Sequence, residues 1–231
     1  MEYDFKQFKV EHYVFNYLSN SLAEKDIKYI ADMQEKCYAK IKSKLEIVND
    51  ITINYFLLNT PNEVGKLYAI THNDDDDEPC NGFTLMPNNI YCVYNEDIKC
   101  IGMHEDTHIL SYTINRPDCA FIREGLAMYM DEKWHGKSNE LWCKQFIDSN
   151  KLCKLKNLLF NDYFYKTDSN LTYPIAGAFI GFVVNRITMK TFLKEIYSKN
   201  EDVKKLFENS MQLTIKEIEC EFIIYINSIC K

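Results

Sequence analysis

The sequence predicts an α+β protein, a strand-rich front half holding one long helix and then a helical back half. Three observations carry this. Up to residue 94, apolar residues mostly alternate in short runs, the two-residue period of a strand with one buried face. From residue 97 they recur every three to four residues, the period of a helix with one buried stripe. Only 7 Gly and 5 Pro occur in 231 residues, and they form no linker-like cluster. One domain over 1–231 is therefore expected, with sub-lobes 1–112 and 113–231.

The elements follow in order. Phe8, Val10, His12 and Val14 alternate, which predicts a first strand over 8–17. Ser21 and Glu24 have capping-box spacing ahead of Ile27, Ile30, Ala31, Gln34, Cys37, Tyr38, Ile41 and Leu45. That pattern predicts a helix over 22–45. Ile51, Ile53, Tyr55 and Leu57 give a second strand, and a third is expected near Leu67–Thr71 before the acidic loop Asp74–Glu78. Asn89–Tyr94 is rich in β-formers and is expected as a strand, either at an edge to which a peptide could add or as an ordinary sheet strand. Helices are expected over 97–112, 119–134, 139–148, 174–186, 189–198, 202–209 and 215–229. The last is the clearest, because Thr214 and Glu217 form a capping box and Ile215, Ile218, Phe222, Tyr225 and Ile229 share a face.

Composition narrows the function. With 46% hydrophobic and 26% charged residues the chain can bury a core, which excludes wholesale disorder. A net charge of −7 makes nucleic acid a poor partner, since phosphate binding needs clustered Lys and Arg. No run of 18 apolar residues occurs, so no membrane partner is expected. Residues 1–6 are charged and mixed, unlike a secretory signal. The 9 Cys are odd in number and lack Cys-x-x-Cys spacing, which predicts reduced thiols and a cytoplasmic protein. There is no Walker loop, dinucleotide-binding glycine pattern or Gly-x-Ser-x-Gly elbow. Asp74–Glu78 lacks the spaced ligands of an EF-hand and reads as a solvated loop. His12, His72 and His135 have no partner spacing and read as structural or exposed residues.

One motif is sharp. His104-Glu105-Asp106-Thr107-His108 is a His-Glu-x-x-His on an expected helix. Residues four apart on a helix lie roughly 40° apart and about 6 Å along the axis. Two imidazoles so placed can hold one Zn²⁺, while Glu105 projects near the same face as a general base rather than a ligand. The ligand set favours zinc without excluding iron, cobalt or manganese. A catalytic zinc usually takes three protein ligands and one open position. The third candidate is Glu124, separated from His108 by fifteen residues. Read alone, Glu124 is a solvated helix carboxylate. The small Gly125 and Ala127 would let its helix approach the first.

His104–His108 followed by Arg123-Glu124-Gly125-Leu126-Ala127 resembles the gluzincin metallopeptidases, and most of all the small peptidase-MA-like proteins. Tyr173-Pro174-Ile175-Ala176-Gly177-Ala178-Phe179 and the Phe179, Phe182 pair echo a further stretch of that family. The resemblance implies a zincin-like fold and makes Glu124 the third ligand of one Zn²⁺ per chain. It also gives Tyr173 a catalytic role, with Pro174 expected to start a helix directly after it. Two departures stand out. Thermolysin-like proteins often have Asp four residues after the ligand Glu, where this chain has Met128; Asp118 or Asp131 could substitute. The Gly-x-Met-Glu-Asn motif of related aminopeptidases is missing.

The expected function is zinc-dependent hydrolysis of peptide bonds in a peptide or protein substrate. A zinc-activated water attacks, Glu105 takes its proton, and Tyr173 donates to the oxyanion. Tyr163, Tyr165, His135 and Arg123 are the other candidate donors. The alternative is a zinc-binding regulatory module without turnover, and a third reading is a scaffold without metal.

Overall fold

The computed structural model describes residues 3–73, 75 and 77–230. The chain divides into two compact units, Met1–Leu110 and Ser111–Lys231. The N-terminal unit is a mixed five-stranded sheet with helices, and the C-terminal unit is almost wholly helical.

In the first unit β1 (Phe5–Lys9) and β2 (Tyr13–Leu18) pair as an antiparallel hairpin with Phe8 opposite Phe15. The single strand expected over 8–17 is therefore two. The chain reverses after Lys9, closed by the Val10 N–H on the Tyr13 carbonyl at 3.0 Å. Helix α1 (Leu22–Lys44) begins at Ser21, whose side chain accepts from the Glu24 N–H, and buries Ile27, Ile30, Ala31, Gln34, Tyr38 and Ile41. β3 (Ile53–Leu58) pairs parallel with β2, Phe15 against Tyr55.

Helix α2 (Pro61–His72) occupies the region expected as a strand near Leu67–Thr71. Thr60 and Glu63 form a reciprocal capping box and Pro61 fits the first turn, which commits the segment to a helix despite its alternating look. Residues 74 and 76 of the expected acidic loop lie outside the described residues. β4 (Gly82–Leu85) then pairs antiparallel with β5 (Asn89–Val93), and β5 pairs parallel with β3. The sheet order is β1-β2-β3-β5-β4. β5 is thus an interior strand, and β4 takes the edge beside it.

Register sorts this sheet into two faces. Phe15, Tyr55, Ile90 and Thr84 are cross-strand partners in turn and share one face. Phe56, Tyr91 and Phe83 are partners on the other, their rings stacked at 4.5 and 4.9 Å. α2 covers that second face, with Val64 buried among Leu58, Phe83 and Val93. Helix α3 (His104–Ser111) starts seven residues later than the expected 97. Residues before it return along β5 instead, through the Tyr94–Lys99 bridge and the Cys100 N–H on the Val93 carbonyl at 2.9 Å. Gly102, at φ 137°, then turns the chain into the helix.

In the second unit α4 (Ala120–Asp131) ends at Glu132, a left-handed residue with φ 66°. A two-residue hairpin follows, β6 (Lys133–Trp134) and β7 (Lys137–Ser138), in place of the last helical turn expected to 134. α5 (Asn139–Asp148) matches its expected bounds, and two short helices that were not expected, α6 (Leu155–Leu158) and α7 (Asn161–Lys166), come next. α8 (Ser169–Ile187) begins five residues before 174, because Asp168 caps it and accepts from the Asn170 N–H. Pro174 therefore lies inside the helix and does not start it.

α9 (Met189–Phe192) passes into a π-helical turn over Leu193–Tyr197, followed by α10 (Val203–Met211) and α11 (Ile215–Ile229). α8 is the core of this unit, buried continuously from Pro174 to Val183. The Phe179 ring meets Phe121 of α4, Phe207 of α10 and Phe222 of α11, at 5.2–5.5 Å. No single helix among the described residues is long and apolar enough to cross a membrane.

Candidate metal centre

Helix α3 carries the motif, and eight residues are too few for a stable isolated helix. The sheet and α1 supply its order. The carboxamide of Gln34, fully buried on α1, accepts from the Gly102 N–H at 2.9 Å and donates to the Gly102 carbonyl at 3.1 Å. The same carboxamide donates to Asp106 Oδ2 at 2.9 Å, and the Tyr13 hydroxyl of β2 donates to that oxygen at 2.5 Å. Asp106 is fully buried, so these donors stand in for the water it has lost. The exchange is visible in Tyr13, whose hydroxyl is pushed well above its ordinary pKa by burial first and then by Asp106. Thr107 adds an N–H and a hydroxyl bond to the Met103 carbonyl, at 2.8 and 2.6 Å.

With Asp106 turned into the core, Glu105 is left on the neighbouring side of the helix. Its Oε2 accepts from the Thr84 hydroxyl at 2.6 Å. Glu105 also raises the pKa of the buried Cys92 thiol, after burial itself and the neighbouring Cys100. His104 and His108, one turn apart, have ring centroids 5.0 Å apart at 83°.

Glu124 lies on α4 and is 9% exposed. His104 and His108 belong to the first unit and Glu124 to the second. Two imidazoles and a carboxylate are a donor set that fits a divalent zinc with a position left open, and the three residues are one grouping of side chains that could hold a metal ion. A second grouping of this kind, Glu11, His12 and Glu35, belongs to the first unit. There His12 Nδ1 sits 2.6 Å from Glu35 Oε2 and its ring stacks on Tyr38 at 4.0 Å, a settled hydrogen-bonded arrangement.

Within its own unit Glu124 is followed by Gly125, which packs against α8. A Cβ there would meet Ile180 Cγ1 at 2.7 Å and the Ala176 carbonyl oxygen at 3.0 Å, so the glycine lets α4 lie against α8. Met128, where thermolysin-like proteins often have Asp, is fully buried in the same packing. The tyrosines that feel Glu124 are Tyr112 and Tyr197. Burial first and then Glu124 push Tyr112 up to about 12, while Tyr197, raised chiefly by burial, donates to Ser111 Oγ at 2.6 Å.

Tyr173 has ring contacts with Trp134 at 5.4 Å and Phe164 at 5.6 Å. Arg123 is committed to the Pro117 and Asp118 carbonyls, at 2.6 and 2.7 Å, and to the Tyr165 hydroxyl at 3.1 Å. The sequence reading missed Thr84, Gln34, Tyr13 and Tyr112. Only Tyr112, four residues past His108, carried a positional hint.

The sequence matches no protein-family model and no curated protein.

Proposed function

We propose that the protein is a zinc-dependent metallopeptidase of gluzincin type, with a zincin-like fold and a peptide or protein substrate. The observation that carries this is the pair of imidazoles, His104 and His108, one turn apart on α3 beside a carboxylate, Glu105, held by a hydroxyl, with Glu124 completing a donor set that suits zinc. A zinc ion on those three residues supplies a Lewis acid that polarises the scissile carbonyl and lowers the pKa of water. Glu105 is the proton carrier, taking a proton from the attacking water and returning it to the leaving amine. Thr84 keeps that carboxylate aimed. Tyr173 is the oxyanion donor the family resemblance supplies. The cytoplasmic setting rests on the odd number of cysteines and their lack of Cys-x-x-Cys spacing.

The test is metal content by mass spectrometry with cleavage of a peptide library, for wild type, His104→Ala/His108→Ala and Glu105→Gln. The proposal requires one zinc per chain and cleavage in wild type, no zinc in the double variant, and zinc without cleavage in Glu105→Gln. Zinc without cleavage in wild type would leave a zinc-binding regulatory module. No zinc in wild type would remove both readings.

A further inference from the structure

The second unit holds a cavity of about 900 Å³ whose lining includes none of the residues of the candidate metal centre. Its size falls within the range of small-molecule sites, roughly 300–1,000 Å³. Three stretches form it: the start of α6 with the residues after it, the first turn of α10, and the first turns of α11. Leu159, Phe160, Val203 and Ile215 make its walls apolar. Phe160 stands 67% exposed there, an unusual position for a large aromatic side chain.

The rim is cationic. Lys154, Lys156, Lys204 and Lys216 surround the cavity in a chain whose net charge is −7. The two acidic lining residues are already engaged. Glu219 accepts from the Leu155 N–H at 2.6 Å and from Lys154 at 3.4 Å, and Asp202 caps α10 by accepting from the Lys205 N–H at 3.3 Å. Lys204 has only a loose pairing with Glu208, at 3.7 Å. Lys156 and Lys216 form no ion pair among the described residues. Two α-helix N-termini, those of α10 and α11, add their partial positive charge.

From this complementarity we infer that the cavity binds a small amphipathic anion, an aliphatic carboxylate of the fatty-acid class. Its chain would lie against Phe160, Leu159, Val203 and Ile215, and its carboxylate would meet Lys156 and Lys216. An apolar wall alone would accept any oily molecule, whereas free ammonium groups at the mouth select for a charged head. The volume favours a single small ligand over a folded partner. The inference does not rest on the peptidase reading.

Cys220 makes this testable, since it lines the cavity and is the one exposed cysteine of the nine. The measurement is the rate of maleimide labelling at Cys220 in the full chain, assigned by peptide mass. Decanoate should slow labelling at least about fivefold and saturably below about 1 mM, the weak end of small-ligand affinity. Decanol, with the same chain and no charge, should change the rate less than about twofold, because it lacks the charge-assisted bonds. Lys156→Glu/Lys216→Glu should abolish the decanoate effect while thermal unfolding stays unchanged, as both substitutions lie on the surface. An unaltered rate with decanoate would overturn the proposal, as would equal protection by decanol. Protection by an acidic peptide but not decanoate, or by raised protein concentration alone, would also overturn it and assign the surface to a protein partner or a second copy.

Discussion

Thr84, on the edge strand β4, donates its hydroxyl proton to Glu105, the residue directly after His104 in the motif, at 2.6 Å. The contact exists because Thr84 pairs with Ile90 and so faces the same side of the sheet as Tyr55 and Phe15. Thr84→Val keeps the shape and removes the donor. A hydrogen bond to a charged group is worth about 1.5–3 kcal/mol, so turnover of a cleaved peptide should fall by roughly 10- to 150-fold. Zinc content should not change. Glu105→Gln should cost at least about a hundredfold, the lower bound for losing a general base. Equal losses in the two variants would show that Thr84 does more than aim the carboxylate.

Zinc affinity separates the three proposed ligands from their supports. Glu124→Gln retains the size of the side chain and removes its charge. It should weaken zinc binding by more than the roughly 10–100-fold typical of losing an outer partner. Competition against a chromophoric chelator measures this. An unchanged affinity would remove Glu124 from the ligand set.

The Gln34 carboxamide has three partners, so Gln34→Ala should be costly. It leaves the Gly102 N–H and carbonyl without these partners and takes one donor from the buried Asp106 carboxylate, and about 2–4 kcal/mol of stability should be lost. Urea unfolding reads the loss. Zinc affinity should fall in the same variant, since the start of α3 loses its anchor.

Packing of α8 against α4 and α5 has its own test. A Cβ on Gly177 would meet Asn139 Nδ2 at 2.6 Å and Met128 Cβ at 2.7 Å. Gly177→Ala gains about 1 kcal/mol of helix propensity and loses about 1–3 to overpacking. It also displaces the Asn139 bond to the Met128 carbonyl, now 2.8 Å, so net destabilisation is expected in thermal unfolding. In the Asn139→Ala background the same glycine substitution should cost less.

The acid limb of stability should report the α11 capping box. Hydrogen bonds from the Thr214 hydroxyl and N–H hold Glu217 below its ordinary value of 4.5. A lowered folded-state pKa contributes stability above pH 4.5 that is lost as pH falls through the folded value. Thr214→Ala should therefore lower stability at pH 7. That difference should narrow below pH 4.5, as seen in urea unfolding across pH.

Elements with strong ends were legible in the sequence. α1, α5 and α11 lie within a residue of their expected bounds, and Ser21, Ser138 and Thr214 each cap one of them. α2 has an equally good capping box at Thr60, but Leu67, Ala69 and Thr71 also alternate, and the weaker signal prevailed. β4, at four residues with only Phe83 buried, is too short for a period to show. Of the site, the His-Glu-x-x-His spacing was legible because it is local. Thr84, Gln34 and Tyr13 lie 21, 72 and 93 residues from the side chains they hold, and only sheet register and helix packing bring them there.

The short length of α3 bears on how its amides exchange with solvent. A free eight-residue helix would fray and trade its hydrogens for deuterium within moments. Here the Gly102 amide ends on a glutamine buried in another helix, and Asp106 is tied to a strand near the start of the chain. To open this segment the protein must first release α1 and β2. Its slowest amides should therefore exchange at the pace of the whole first unit's unfolding, so the reactive stretch is among the last parts of that unit to become plastic.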